Sequence, residues 1–139
     1  MNENPILLDQ IPDSPTAYEI ARKYSEIMLY LTIKVELLDE GWLFASAHSI
    51  FLKTTNLYPL KTPEPTDLKL SYPKNIDGLQ LNVRSHISRF RNGSETEEPS
   101  RVRYRLIIEA GDKLLDEFEK ISDTKNPSDF NSFIQFKLI

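Results

Sequence analysis

The chain has 139 residues, a net charge of −4 and no cysteine. Its apolar content of 40% and charged content of 27% exclude a disordered polymer and fit one globular domain over 1–139. The missing thiols exclude disulfides, thiolate metal sites and cysteine nucleophiles.

The start, MNENPILLDQIPDSP, has neither the basic opening nor the long apolar run of a signal peptide. No apolar run approaches the roughly 18 residues of a membrane span. The expected location is the cytoplasm, with no membrane partner. Charge is spread unevenly. Residues 77–105 hold six arginines against four acids, and six of the seven arginines lie between Arg84 and Arg105.

In chain order, 1–13 reads as an extended N-terminal segment. Ser14 and Pro15 are good helix-start residues, and Gly41 is a good stop. Ala17, Ile20, Ala21, Tyr24, Ile27, Met28, Leu31, Val35 and Leu38 between them follow helical spacing. A rival reading sees Leu29, Leu31, Ile33, Val35 and Leu37 alternate as in a strand, with Asp39-Glu40-Gly41 turning a hairpin into Trp42-Leu43-Phe44. Residues 42–55 read as a shorter helix, or as the hairpin's second strand.

Residues 56–75 hold four of the nine prolines and read as a proline-rich crossover loop. Ile76, Leu79, Val83, Ile87 and Phe90 suggest a third helix ending at Asn92-Gly93. Residues 94–98, SETEE, form a connector. The strongest helical pattern is 99–122: Tyr104, Gly111 and Phe118, then Ile107, Leu114 and Ile121, recur every seven residues, with Ile108 and Leu115 beside them. Glu109→Lys113 and Asp116→Lys120 add carboxylate-first i,i+4 pairs. Gly111, in mid-helix, suggests a close helix crossing. Phe130, Phe133, Ile134 and Leu138 make the C-terminal segment apolar enough to require docking on its own domain or on a second copy.

The fold favoured is therefore all-α. It is an antiparallel, four-helix bundle-like domain with helices at 15–40, 42–55, 76–92 and 99–122 and a short C-terminal segment. The alternative is α+β. There an N-terminal helix runs from Pro15 to near Met28, a largely antiparallel sheet uses 29–38, 42–53, 79–89 and 101–109, and a helix follows Gly111.

Arg84, Arg89, Arg91, Arg101, Arg103 and Arg105 form the candidate ligand site, since guanidinium forks suit phosphate. Phe90 and Tyr104 would add stacking. The competing reading pairs these arginines with Glu95, Glu97 and Glu98. Three arginines opening a helix also oppose its dipole, which calls for a partner. Trp42, Phe130, Phe133, Ile134 and Leu138 are the candidate interaction residues. His48 and His86 stand near serines but in no catalytic or metal-binding spacing. Asp116 and Glu119 lack a companion histidine, and no phosphate-cradling glycine loop is present. No catalytic residue, metal or cofactor is assigned.

Three functions follow in order of preference. The first is a non-enzymatic protein–protein interaction or adaptor module that self-associates into a homo-oligomer. The second is an accessory RNA- or polyanion-binding protein that uses the arginine cluster. The third is a small hydrolase-type enzyme using His48 or His86 with carboxylates.

Overall fold

The computed structural model describes residues 16–61, 64–90, 101–122 and 128–139. The four-helix bundle is contradicted. Among the described residues are nine strands: β1 (Thr16–Ile20), β2 (Leu29–Leu37), β3 (Leu43–Leu52), β4 (Thr55–Lys61), β5 (Leu68–Ser71), β6 (Gln80–Phe90), β7 (Val102–Ala110), β8 (Lys113–Ser122) and β9 (Ser128–Leu138). Helix is limited to a 3-10 turn at Arg22–Tyr24 and one turn, α1, at Pro73–Ile76.

The strands form a five-stranded sheet, β1-β9-β6-β3-β4, and a four-stranded sheet, β5-β2-β7-β8. All described pairings are antiparallel except β1 with β9. The α+β alternative comes closer. Four of its proposed strands match β2, β3, β6 and β7, but its helices do not form: Thr16–Ile20 and Lys113–Ser122 are strands. The expected hairpin across Asp39-Glu40-Gly41 is also absent, because β2 and β3 belong to different sheets. Residues 1–15, the Ser14-Pro15 start signal, Asn92-Gly93 and the 94–98 connector lie outside the described residues.

Why strands win is clearest in β7. Val102, Tyr104, Leu106, Ile108 and Ala110 point inward and are buried, while Arg103, Arg105 and Glu109 alternate outward. Gly111 then opens a tight turn at φ +61°, and Ala110 pairs with Lys113 beyond it. A register shift between Ile108 and Glu109 changes the phase, so that Asp116 and Phe118 continue the inner face. Two alternating strands joined by a glycine turn had mimicked a heptad. Gly41 does adopt a positive φ of 83°, as a helix stop would, but it serves the turn between the sheets.

The core lies between the sheets. Tyr18 of β1 packs edge-on against Phe118 of β8, with ring centroids 6.0 Å apart, and against Phe136 of β9 at 6.3 Å. Tyr104 of β7 stacks flat on Phe130 of β9 at 4.4 Å. β9 is an inner strand, and it buries Phe130, Ile134 and Phe136. The apolar tail thus docks on its own domain, as an inner strand of the five-stranded sheet rather than as a short appended segment. No helix among the described residues is long and apolar enough to cross a membrane.

Candidate functional site

The two ends of the sandwich differ in chemistry. At one end lie the strand ends between which the chain changes sheet: Leu37 and Leu43, Phe90 and Val102, Ser122 and Ser128. There the inward positions turn polar. On β3, Phe44, Ser46, His48, Ile50 and Leu52 face in, and on β6, Leu81, Val83, Ser85, Ile87 and Arg89 face in. His48 lies directly opposite Ser85, and Ser85 opposite Phe130.

These side chains form a linear relay across both sheets. Tyr104 Oη lies 2.5 Å from Ser85 Oγ, and Ser85 Oγ lies 2.7 Å from His48 Nδ1. His48 Nε2 lies 3.0 Å from Glu64 Oε2, and Ser46 Oγ donates to the same carboxylate oxygen. Donor counting fixes the polarity. The carboxylate only accepts, so Nε2 carries the hydrogen. Nδ1 of the neutral ring then accepts from Ser85, which in turn accepts from Tyr104. Every hydrogen in the chain has one acceptor, which is why this polar cluster tolerates burial.

His48 is fully buried and Ser85 is 3% exposed, whereas the Glu64 side chain is 20% exposed. Desolvation pulls the His48 pKa below its ordinary value, against a smaller opposing effect of Glu64. Burial pushes the Tyr104 hydroxyl far up, so it stays protonated.

A second polar bridge lies nearby. Arg89, 2% exposed, donates through Nη2 to Ser128 Oγ at 2.9 Å, and Ser128 meets Ser122 Oγ of the other sheet at 2.8 Å. Desolvation lowers the pKa of the Arg89 guanidinium, which starts so high that the charge survives.

Ser85, His48 and Glu64 make a serine–histidine–carboxylate series, but its geometry opposes hydrolysis. The serine is the deep end and the carboxylate the outer end, the reverse of what an accessible nucleophile needs. The Tyr104 hydroxyl is already hydrogen-bonded to Ser85 Oγ. Ser85 also sits on a strand paired on both sides, which uses the backbone N–H groups an oxyanion hole requires. Among the described residues, no group of three or more His, Asp or Glu could hold a metal ion. Asp116 turns inward and Glu119 lies on the outer face, so they cannot share one.

The five described arginines of the cluster do not form one patch. Arg84 is exposed on the outer face of β6 and Arg89 is buried on the inner face of the same strand. Arg91 lies outside the described residues. Arg101 pairs with Asp39 at 3.2 Å, Arg103 with Glu36 at 3.2 Å and Glu119 at 3.6 Å, and Arg105 with Glu117 at 3.3 Å. The backbone N–H and guanidinium of Arg101 hold the Asp39 carboxyl below its usual range. Internal ion pairing was the competing expectation. The partners found are on β2, β8 and the 38–42 turn, while Glu95, Glu97 and Glu98 lie outside the described residues.

Of the candidate interaction residues, Phe130 and Ile134 are core, and Phe133, Leu138 and Trp42 are half-buried. His86 is exposed and pairs with Asp129 at 2.6 Å. Sequence reasoning missed Glu64 and Tyr104 as partners of His48. The available signal was parity: Ser46 and His48 share an inward face with Ile50 and Leu52, as Ser85 does with Val83 and Ile87.

Fold and site together define a two-sheet β protein whose crossover end is closed by buried polar bridges. The chain matches no family model, and no curated protein or solved structure shows significant similarity to it.

One consequence concerns acid. The folded-state pKa of His48 lies below the unfolded value of 6.5, so its stabilising effect is complete above that pH. The effect is lost progressively as pH falls from 6.5 toward the folded pKa. Thermal melts from pH 7.5 to 5.5 should show Tm falling in the wild type and a flatter profile in His48→Gln, which keeps a donor and an acceptor without titrating.

Proposed function

We propose that this protein is a non-enzymatic interaction module that self-associates through the outer face of its five-stranded sheet. The observation that carries this reading is the contrast between the two outer faces. On the four-stranded sheet the face is covered by Glu36, Arg103, Arg105, Glu117 and Glu119 in mutual ion pairs. On the five-stranded sheet, the outward positions of 43–51, 80–90 and 129–135 contain no lysine and no glutamate.

One row of that face reads Phe51–Asn82–Phe133, the next Ser49–Arg84–Asn131, and Leu43–Phe90 closes the far end. Leu43 is 58% exposed. Half-buried aromatic rings with few charges match the composition of an interface core.

A second copy suits this face for two reasons. β3, β6 and β9 have 10, 11 and 11 residues, and β1 and β4 add five and seven; at about 3.3 Å per residue and about 4.8 Å between strands the face spans about 700 Å², close to the roughly 800 Å² per partner of a standard interface. A two-fold axis would also let Arg84 of each copy face Asp129 of the other, so the charges are self-complementary. The edges suit strand addition poorly. β1 has five residues and β5 four, β4 carries Pro59, and β8 turns Asp116 inward to accept from Glu117 N–H.

Size-exclusion chromatography with light scattering tests the proposal. The wild type should run at about twice its 16.1 kDa mass at tens of micromolar. Asn82→Lys, which places an unpaired charge in the apolar row, should weaken the dimer about 100-fold, equivalent to roughly 3 kcal/mol. Glu36→Lys on the other outer face should leave it intact. A monomeric wild type at 100-micromolar scale, or an unaffected Asn82→Lys dimer, would contradict the proposal.

A further inference from the structure

The geometry points to an acid-released latch: Glu64, gripped by His48 and Ser46, fastens residues 64–67 to the crossover end of the sandwich, and protonation of His48 unfastens them. The segment leaves the five-stranded sheet after β4 and joins the four-stranded sheet at β5. It reaches β2 through two bonds, Ile33 N–H to Pro65 O at 3.0 Å and Asp67 N–H to Thr32 Oγ1 at 2.9 Å. Its one tie to the first sheet among these contacts is Glu64, which meets Ser46 and His48 of β3.

The relay makes that tie proton-sensitive. In the neutral state four hydrogens, on Tyr104, Ser85, His48 and Ser46, meet four acceptor positions. A second ring proton on Nδ1 would point at Ser85, which already receives the Tyr104 hydrogen. Ser85 would then have to turn its own hydrogen toward Tyr104 or leave it unpaired. Either arrangement orphans one hydroxyl hydrogen in a dry interior.

The attraction of Glu64 for an imidazolium opposes this but does not supply the missing acceptor. Among the described residues, the titratable or charged groups at inward positions of the strands that carry the relay are Tyr104 and Arg89, which is tied to Ser128; Arg84 and His86 of β6 and Arg103, Arg105 and Glu109 of β7 take the outer faces, and Lys61 stands opposite His48 in the β4 register. An arrangement in which 64–67 lifts and water reaches His48 accepts the proton more readily than the closed one. Falling pH therefore favours lifting.

Hydrogen exchange followed amide by amide tests this, with each rate corrected for its intrinsic pH dependence. Protection at Ile33 and Asp67 should drop about tenfold per pH unit below about 6.5, the slope for one linked proton. Protection at Leu106, in the middle of the same sheet, should hold. In His48→Gln the loss at Ile33 and Asp67 should disappear. Glu64→Ala changes a partly exposed side chain, so it also tests the latch if the histidine variant fails to fold. At pH 7.5 it should already show the weak protection at Asp67 that the wild type shows in acid. Equal pH dependence at Asp67 and Leu106, an unchanged profile in His48→Gln, or wild-type protection in Glu64→Ala would each overturn the latch.

Discussion

Phe118→Ala should destabilise the protein by about 3–5 kcal/mol, while Leu114→Ala, four residues earlier, should change stability by no more than about 0.5 kcal/mol. Phe118 is fully buried on the inner face of β8, where its ring meets the Tyr18 ring of the opposite sheet. Truncation removes that contact and leaves a hole bordered by both sheets. Leu114 is 54% exposed and pairs outward with Glu109. On a helix the two residues would share one stripe and suffer alike. Urea titrations of both variants separate the two folds, and equal losses at the two sites would favour the helix.

Ser85→Ala should cost about 2–5 kcal/mol and Tyr104→Phe only about 1 kcal/mol. The asymmetry follows from the polarity of the relay. Ser85 accepts from Tyr104 and donates to His48 Nδ1, so alanine strands a hydroxyl hydrogen and a ring nitrogen, both buried. Tyr104 only donates. Phenylalanine removes that donor, orphans no hydrogen and keeps the ring stacked on Phe130. Chemical denaturation of the two variants gives the comparison, and a Tyr104→Phe loss equal to or above that of Ser85→Ala would mean the chain runs the other way.

The strand pattern was present in the residues, but helical cues overlaid it. Val102-Arg103-Tyr104-Arg105-Leu106 alternates cleanly, and Gly111-Asp112 is a turn signal. The heptad reading joined residues on both sides of that turn. The three arginines that would have opposed a helix dipole meet no such field on and beside a strand, and they pair with Asp39, Glu36, Glu119 and Glu117 instead. Leu29 to Leu37 alternates as well, yet helix spacing and Gly41 outweighed it. Which sheet a strand joins is set by non-local pairing. Adjacency suggested a β2–β3 hairpin across 39–41, while the register sends β3 to β6 and β2 to β7. The site was legible only as polar residues at inward parity. Nothing local ties Glu64 to a histidine 16 residues earlier, or Ser85 to a tyrosine 19 residues later. The first contact exists because the segment joining β4 to β5 brings Glu64 back over β3, and the second because the two sheets face each other.

The most direct test of the relay is nitrogen-15 spectroscopy of the His48 ring through a pH titration. A single neutral tautomer is expected at pH 7.5, with the hydrogen on Nε2 and Nδ1 bare, persisting below the ordinary imidazole value of 6.5. A hydrogen found on Nδ1 at pH 7.5, or a His48 that titrates at or above 6.5, would contradict the account.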